Sequence, residues 1–204
     1  MTGHGSSLFP DMVLASASPR REALLRGLGW RFRVVPPAVE ESILEDGDPR
    51  EQARRLAEAK ADSVFASQRS SLVVAADTIV VLGAMILGKP DHPGDAFRML
   101  RLLSGKTHKV ITGVAVRWGD KSASAIEETL VTFRDLTDRQ IGAYLSGNES
   151  GDKAGAYAIQ GWGSLLVRSI RGCYFNVVGL PLFTLSRLLE GMGIPLEDQW
   201  GERV

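Results

Sequence analysis

The sequence predicts an α/β protein with a mixed sheet, because capped helices alternate with short apolar strands and several β-hairpins interrupt the alternation. The 204 residues are enough for one large domain or two closely joined lobes. The composition is 44% hydrophobic and 24% charged, which is typical of globular proteins and argues against long disorder. We therefore expect a single folded domain over residues 1–204, with loose termini at 1–11 and 195–204.

Two short apolar runs near the start predict the first strands. Met12–Ala15 predicts a buried strand, and Phe32–Val35 predicts a second one. Between them, Ser18 is a favoured N-cap residue and Pro19 is a favoured first helical residue. A helix therefore begins at Pro19, and a glycine at position 27 or 29 ends it.

The next helix is marked by its start signals and by an apolar stripe. Asp48 is a suitable N-cap, Pro49 follows it, and Glu51 stands three residues after the cap, as in a capping box. We expect the face at helical spacing to be buried, with Ala53, Leu56, Ala57, Lys60, Ala61, Val64 and Phe65. Lys60 is the charged member of this face, so it points inward with the core residues.

The longest apolar run, Leu72–Leu82, predicts a central strand that is buried on both faces. Asp77 and Thr78 are its polar interruption. A turn at Gly83 leads into Met85–Leu87, which we expect to be its partner strand.

The remaining elements are predicted from the same signals. Helices are expected over Pro93–Leu103, from a Thr137–Gln140 capping box to Leu145, and over Pro181–Glu190. One hairpin is expected for His108–Trp118 with Ser122–Phe133, and another for Leu165–Ile170 with Tyr174–Val178. A glycine-rich loop is expected over Gly147–Gly163.

Charge and composition exclude several classes of protein. Lys+Arg and Asp+Glu both number 24, so a general nucleic-acid or membrane-surface binder is not expected. Cys173 is the one cysteine, which excludes a disulfide within the chain and fits a reducing compartment. The three histidines lack ligand spacing, so zinc is not expected. Residues 1–10 resemble no secretory signal and no run is long enough to span a membrane, so we expect a cytoplasmic protein.

The segment Ser16–Arg21 is a candidate anion site. A strand leads into a helix N-terminus there, where free N–H groups and the helix dipole attract anions. Ser16, Ser18, Arg20 and Arg21 add donors suited to phosphate oxygens. The alternative is a capped helix with two solvated arginines. Cations in a first helical turn oppose the dipole, which favours the anion site.

A carboxylate within an apolar strand is the second candidate. Asp77 must be paired, bound to a metal or exchanging protons, unless it merely caps a turn at the strand end. Lys60 either contributes its charge to the same place or extends its amine to solvent. Lys89 follows the partner strand and Lys153 lies in the glycine-rich loop, so the three lysines could surround a polyphosphate.

Six blocks in order resemble the Maf family of nucleoside triphosphate pyrophosphatases. They are Leu14–Arg21, Ala75–Thr78, Leu87–Pro90, Leu103–His108, Asp152–Gly161 and Val178–Pro181. The resemblance covers about residues 12–190. It implies a fold like that of inosine-triphosphate pyrophosphatases, in which helices flank an elongated mixed sheet and two lobes enclose a central cleft.

The resemblance also implies cleavage between the α- and β-phosphates with a divalent metal, Mg²⁺ or Mn²⁺. In the family, the residue at the position of Asp77 is the general base. The positions of Arg20, Thr78 and Gln160 are associated with selection of the nucleotide base. The positions of Lys60, Lys89 and Glu40 lie in the same pocket. We therefore expect Asp77, Lys60 and Lys89 to be catalytic, Ser16, Ser18, Arg20, Arg21, Thr78, Lys153 and Gln160 to bind substrate, and Glu40 and Asp77 to hold the metal.

Three positions are informative about the branch of the family. Relatives that act on 7-methyl-GTP typically have Trp at the position of Arg20, Gln at that of Thr78, and a Lys-Ser-Glu-Gly run where this chain has Ala158–Gly161. This chain therefore resembles the dTTP/UTP branch. The alternatives are a 7-methyl-GTP pyrophosphatase and a nucleotide-binding regulator of cell division without turnover. The resemblance further suggests a homodimer.

Overall fold

The computed structural model describes residues 9–39, 47–147, 151 and 153–200. The strands are β1 (Met12–Leu14), β2 (Phe32–Val34), β3 (Leu72–Leu82), β4 (Met85–Leu87), β5 (Thr107–Trp118), β6 (Lys121–Phe133) and β7 (Val167–Arg171). The α-helices are α1 (Pro19–Gly27), α2 (Pro49–Phe65), α3 (Pro93–Leu103), α4 (Asp138–Leu145), α5 (Tyr174–Val178), α6 (Leu182–Gly191) and α7 (Leu196–Gln199). Two 3₁₀ turns, Ala154–Ala156 and Gly161–Leu165, lie within the predicted glycine-rich loop.

The strands form one seven-stranded mixed sheet in the order β2-β1-β3-β5-β6-β7, with β4 also paired to β3. The strand β1 runs parallel to β2 and β3, whereas the other pairs are antiparallel. Helices flank the sheet, so the predicted mixed α/β fold is confirmed.

One edge of β3 has an opening in the middle of its length. On that edge β1 pairs with β3 up to Val74, and β4 pairs with β3 from Val80 onward. The strand β5 occupies the opposite edge continuously from Val73 to Val81. Among the described strands, none pairs with the first edge between Val74 and Val80. Asp77 and Thr78 therefore lie where no described strand covers this edge of β3.

The two sheet faces are covered by different helices. Ala53, Ala57 and Ala61 of α2 are fully buried against one face. The helices α5 and α6 contact β5 and β6. Because successive strand residues point to opposite faces, the side chains of Asp77 and Thr78 lie on different sides of the sheet.

Local signals in the sequence place most helix starts correctly. The side chain of Asp48 accepts a hydrogen bond from Arg50 N at the start of α2. Thr137 and Gln140 form the predicted capping box at the start of α4. Ser18 stands at the N-cap position of α1, but its side chain makes no capping hydrogen bond.

The predicted hairpin of Leu165–Ile170 with Tyr174–Val178 is wrong in its second half. Val167–Arg171 is the edge strand β7, but Tyr174–Val178 is the helix α5. A five-residue apolar run does not distinguish strand from helix by its periodicity. The buried Asn176 side chain fixes the helix, because it donates to Val110 O and to Thr129 Oγ1, both at 2.9 Å.

The C-terminal segment expected to be loose from position 195 instead contains the short helix α7. Gln199 is buried, and its side chain donates to Ser186 O and Ile194 O. Trp30 Nε1 donates to Gln199 O over 2.7 Å, so this segment is tied to the start of β2. Within the described ranges, no helix is both long and apolar enough to cross a membrane.

Candidate active site

A cavity of about 400 Å³ lies at the opening beside β3. It is lined by all ten of the predicted site residues that the structure describes: Ser16, Ser18, Arg20, Arg21, Lys60, Asp77, Thr78, Lys89, Lys153 and Gln160. Glu40, the predicted second metal ligand, lies outside the described residues. The sequence therefore identified residues from six separate segments that the fold brings to one place.

An ion pair joins α2 to the central strand in this cavity. Lys60 Nζ donates to Asp77 Oδ1 over 2.6 Å, and the two side chains are only 6% and 12% exposed. Burying both charges is costly unless they are paired, so the contact explains how an acid and a base occur in apolar elements. Lys60 is buried and does not extend its amine to bulk solvent.

The close approach of α2 to the sheet depends on Gly113. This residue lies directly opposite Asp77 in the pairing of β5 with β3. A Cβ atom at position 113 would lie 2.2 Å from Ala53 O, 2.4 Å from Ala53 C and 2.6 Å from Arg54 N. The glycine therefore lets the backbone of α2 rest on β5, and this spacing sets the reach of Lys60 to Asp77.

Arg21 ties three walls of the cavity together. Its Nε donates to Gly179 O over 2.7 Å, after α5. Its Nη1 donates to Ser16 Oγ over 3.2 Å and its Nη2 to Thr78 Oγ1 over 3.0 Å. Ser16 Oγ also accepts from Ser18 N over 3.1 Å, which shapes the loop before α1. The Arg21 guanidinium, which was predicted to bind phosphate, thus also connects the loop before α1, the strand β3 and the end of α5.

The cavity has a strong excess of positive charge. Among its described lining residues are Arg20, Arg21, Lys60, Lys89 and Lys153, against one carboxylate, that of Asp77. The chain as a whole has no net charge. The local excess therefore favours an anion with several negative charges, because clustered cations in a cleft focus the electrostatic field.

The segments that carry Lys89 and Lys153 are joined by a main-chain hydrogen bond. Gly155 N donates to Gly88 O over 3.0 Å. Gly155 has a φ of 70°, and a Cβ there would lie 3.1 Å from Val80 Cγ1. A glycine at 155 therefore allows the turn to pack on β3 and to bond to the segment that carries Lys89.

A buried aromatic cluster supports the segment that leads to Gln160. His108 Nε2 and the Tyr157 hydroxyl are 2.7 Å apart, and Phe133 packs edge-on against both rings. Tyr144 Oη accepts from Ala158 N over 3.3 Å. The sequence alone gives no sign of these contacts, because the bonded partners lie at least 14 positions apart along the chain.

Burial lowers the pKa of His108 from 6.5 to about 4. The unfolded chain therefore binds a proton below pH 6.5 that the folded protein does not bind until about pH 4. We expect stability to be complete above pH 6.5 and to fall by about 3 kcal/mol from this residue as the pH drops through 4. Chemical denaturation at pH 7 and pH 4.5 should show a smaller loss for His108→Gln than for the wild type.

The matched control for this prediction is His92→Asn. His92 is exposed and caps α3 by accepting from Asp95 N, a role that asparagine also fills. The control should keep the full wild-type loss between the two pH values. An equal loss in His108→Gln would show that His108 does not govern the acid sensitivity.

The residues around Asp77 indicate which kind of metal site could hold the divalent ion that the resemblance implies. The described residues contain no group of three or more His, Cys, Asp or Glu side chains that could hold a metal. Mg²⁺ is commonly bound by one or two carboxylates together with substrate phosphates and water. Asp77, lining a cavity suited to polyphosphate, fits that mode and does not fit a cage made of protein ligands alone.

The fold and the site define a mixed α/β protein with a strongly cationic cavity at the open edge of its sheet and one carboxylate among the cations. The chain belongs to the Maf-like protein family, whose model matches residues 11–192. The family identified from the six sequence blocks is thus confirmed.

Curated relatives match nearly the whole chain. A protein of Moorella thermoacetica named dTTP/UTP pyrophosphatase is 50% identical over 93% of this chain and 97% of its own length. Proteins of the same name from Syntrophomonas wolfei and Caldicellulosiruptor saccharolyticus are 47% and 45% identical, over 88% and 91% of this chain and 96% of each relative. A solved structure of a HAM1 protein from Coxiella burnetii overlaps 60% of this chain and 72% of its own, with 15% identity and a TM-score of 0.41, which adds nothing to the family assignment.

Proposed function

We propose that this protein is a nucleoside triphosphate pyrophosphatase that hydrolyses dTTP and UTP to the monophosphate and pyrophosphate. The observation that carries the proposal is the cavity itself, where four further cationic side chains line the same cavity as the Lys60–Asp77 pair. The names of the 45–50% identical relatives support the choice of substrate. Their near full-length coverage supports carrying the activity over to this chain.

The cations bind and orient the triphosphate. Phosphoryl chemistry requires mostly positioning and electrostatic stabilisation, because negative charge is spread over the phosphate oxygens in the transition state. Lys89, Lys153 and Arg20 reach the cavity from three different segments and can contact different phosphates. Their combined charge stabilises the pyrophosphate as it leaves.

Asp77 is the proposed general base. Its Oδ1 accepts from Lys60 Nζ, which fixes the orientation of the carboxylate on β3. The other oxygen, Oδ2, would take a proton from the water that attacks the α-phosphorus. The bond from the α-phosphorus to the bridging oxygen of the β-phosphate breaks, and pyrophosphate departs with that oxygen. Lys60 acts here by holding the base and by adding positive charge next to the phosphates.

A divalent metal, Mg²⁺ or Mn²⁺, is part of the proposal, with Asp77 and Glu40 as its protein ligands. Such an ion would supply additional neutralisation of the phosphate charge. The position of Asp77 in the lining of the cavity supports binding of the ion there together with substrate oxygens.

Gln160 is the proposed contact for the edge of the base. Its amide can donate and accept, which suits the O4 and N3–H groups of uracil or thymine. Gln160 is exposed and lines the same cavity as Arg20. Arg20 and Thr78 complete the proposed base-selecting set. A cytoplasmic location and a homodimer stay predictions.

The test of the proposed function is a substrate panel with pyrophosphate detection in the presence of Mg²⁺ or Mn²⁺. We expect UTP and dTTP to be hydrolysed with higher kcat/KM than 7-methyl-GTP. A preference for 7-methyl-GTP would contradict the assigned substrates. Tight binding of UTP with no release of pyrophosphate would contradict the enzyme and favour a nucleotide-binding regulator.

A further inference from the structure

A chain of hydrogen bonds joins the cavity residue Thr78 to the protein interior. Arg21 Nη2 donates to Thr78 Oγ1 over 3.0 Å. Thr78 Oγ1 and Thr112 Oγ1 are 3.0 Å apart, as expected for residues that lie directly opposite each other on β3 and β5. Thr112 Oγ1 donates to Asn176 O over 3.1 Å. Thr112 is fully buried, so the chain ends inside the protein and not in solvent.

The number of protons fixes the direction of this chain. A threonine hydroxyl has one proton to donate and two lone pairs that accept. The carbonyl oxygen of Asn176 can only accept, so the Thr112 proton is used there. The contact between the two hydroxyls must then be made by the Thr78 proton. The reverse arrangement would form one hydrogen bond fewer among these groups, which buried polar groups disfavour.

The acceptor at the end of the chain is held in place by two strands. The Asn176 side chain donates to Val110 O on β5 and to Thr129 Oγ1 on β6. Thr129 Oγ1 also donates to Cys173 O and accepts from Cys173 N, at the start of α5. These bonds fix α5, and with it Asn176 O, relative to Thr112.

We propose that Thr112 is a positioning residue that makes Thr78 a hydrogen-bond acceptor, and not a donor, towards the bound nucleoside. Arg21 donates to one lone pair of Thr78 Oγ1, and the second lone pair can accept from a ligand in the cavity that Thr78 lines. The matching ligand group is an N–H or O–H donor. In UTP and dTTP this is either the sugar 3′-hydroxyl or the ring N3–H, and in the second case the Gln160 amide contacts O4 alone. Ring N3 of cytosine is an acceptor and does not match.

This inference rests on the proposed function for the identity of the ligand, so its test measures binding separately from turnover. The probes are the non-hydrolysable α,β-methylene analogues of UTP, CTP and 3′-deoxy-UTP, titrated into the full-length protein in a calorimeter. We expect the wild type to bind the UTP analogue about 2- to 10-fold more tightly than one of the other two, the usual effect of one hydrogen bond. Weak binding of the CTP analogue identifies ring N3–H, and weak binding of the 3′-deoxy analogue identifies the sugar hydroxyl.

Thr112→Val is the decisive variant. It releases the Thr78 proton, which can then turn towards the cavity. The dissociation constant of the more weakly bound analogue, divided by that of the UTP analogue, is therefore expected to fall towards 1. Thr112→Ser keeps the hydroxyl and should keep the wild-type ratio. An unchanged ratio in Thr112→Val, or an equal weakening of all three analogues, would show a purely structural role and overturn the proposal.

A second variant covers the case in which Thr112→Val does not fold. Thr78→Val removes the acceptor directly and should also bring the ratio towards 1, so a wild-type ratio in this variant overturns the proposal. Equal binding of all three analogues by the wild type overturns it as well. Selective binding of the UTP analogue without hydrolysis of UTP would contradict the proposed function alone, whereas no binding of any analogue would contradict both.

Discussion

Replacement of Asp77 by asparagine is expected to lower kcat for UTP by about 10²–10⁴-fold, the usual contribution of a general base. Asparagine has nearly the same size and can still accept a hydrogen bond from Lys60, but it cannot take the proton of the attacking water. The variant leaves the buried Lys60 charge without its anionic partner, which lowers stability, but the sheet should remain folded because β3 keeps its pairing with β1, β4 and β5. The measurement is pyrophosphate release at saturating UTP, together with a dissociation constant for the α,β-methylene analogue.

The matched control is Asp62→Asn, which changes a carboxylate on the outer side of α2. Asp62 is 56% exposed and pairs with Arg117 away from the cavity. An exposed pair contributes little to stability, so this variant should keep wild-type turnover. Near-normal kcat in Asp77→Asn would rule out Asp77 as the base. A loss of turnover in both variants would indicate damage to α2 and not to the chemistry.

Replacement of Gly113 by alanine is expected to destabilise the fold by about 3 kcal/mol, at the upper end of overpacking effects. The added Cβ would meet main-chain atoms of Ala53 and Arg54, which cannot rotate away as a side-chain tip can. The helix α2 must then shift from β5, and Lys60 shifts with it away from Asp77. Denaturant unfolding should show the loss of stability, and kcat should fall even at temperatures where the variant is folded.

Gly142→Ala provides the comparison for this prediction. Gly142 lies within α4, and a Cβ there meets nothing within 4 Å. Alanine is better than glycine inside a helix by about 0.8–1 kcal/mol, so this variant should be as stable as the wild type or more stable. If Gly113→Ala unfolds at the same denaturant concentration as the wild type, α2 does not rest on β5 as closely as described.

Much of the site could be predicted because its residues conflict with their local surroundings. Asp77 interrupts an apolar strand, Lys60 lies on an apolar helix stripe, and Arg20 follows a helix start where cations are disfavoured. The structure places all three around one cavity. Such conflicts are visible in the sequence, since each involves only neighbouring residues and the period of one element.

The helix α5 and the hydrogen-bond chain behind Thr78 depend on partners far apart in the sequence. Asn176 is bonded to Val110 and Thr129, which lie 66 and 47 positions away. The five-residue run Tyr174–Val178, apolar or aromatic except for Asn176, does not reveal this, because strand and helix signals are ambiguous at that length. Thr112 did leave a signal, since it interrupts the apolar run from Val110 to Val116 as Thr78 interrupts β3.

Hydrolysis of UTP in water enriched in ¹⁸O tests the proposed chemistry most directly. Attack of water on the α-phosphorus places one ¹⁸O atom in UMP and none in the pyrophosphate, and we expect this distribution in the wild type. The label should be followed by mass spectrometry of both products in a single reaction. Formation of UDP with labelled orthophosphate, or of labelled pyrophosphate, would mean that water attacks a different phosphorus and would contradict the role assigned to Asp77.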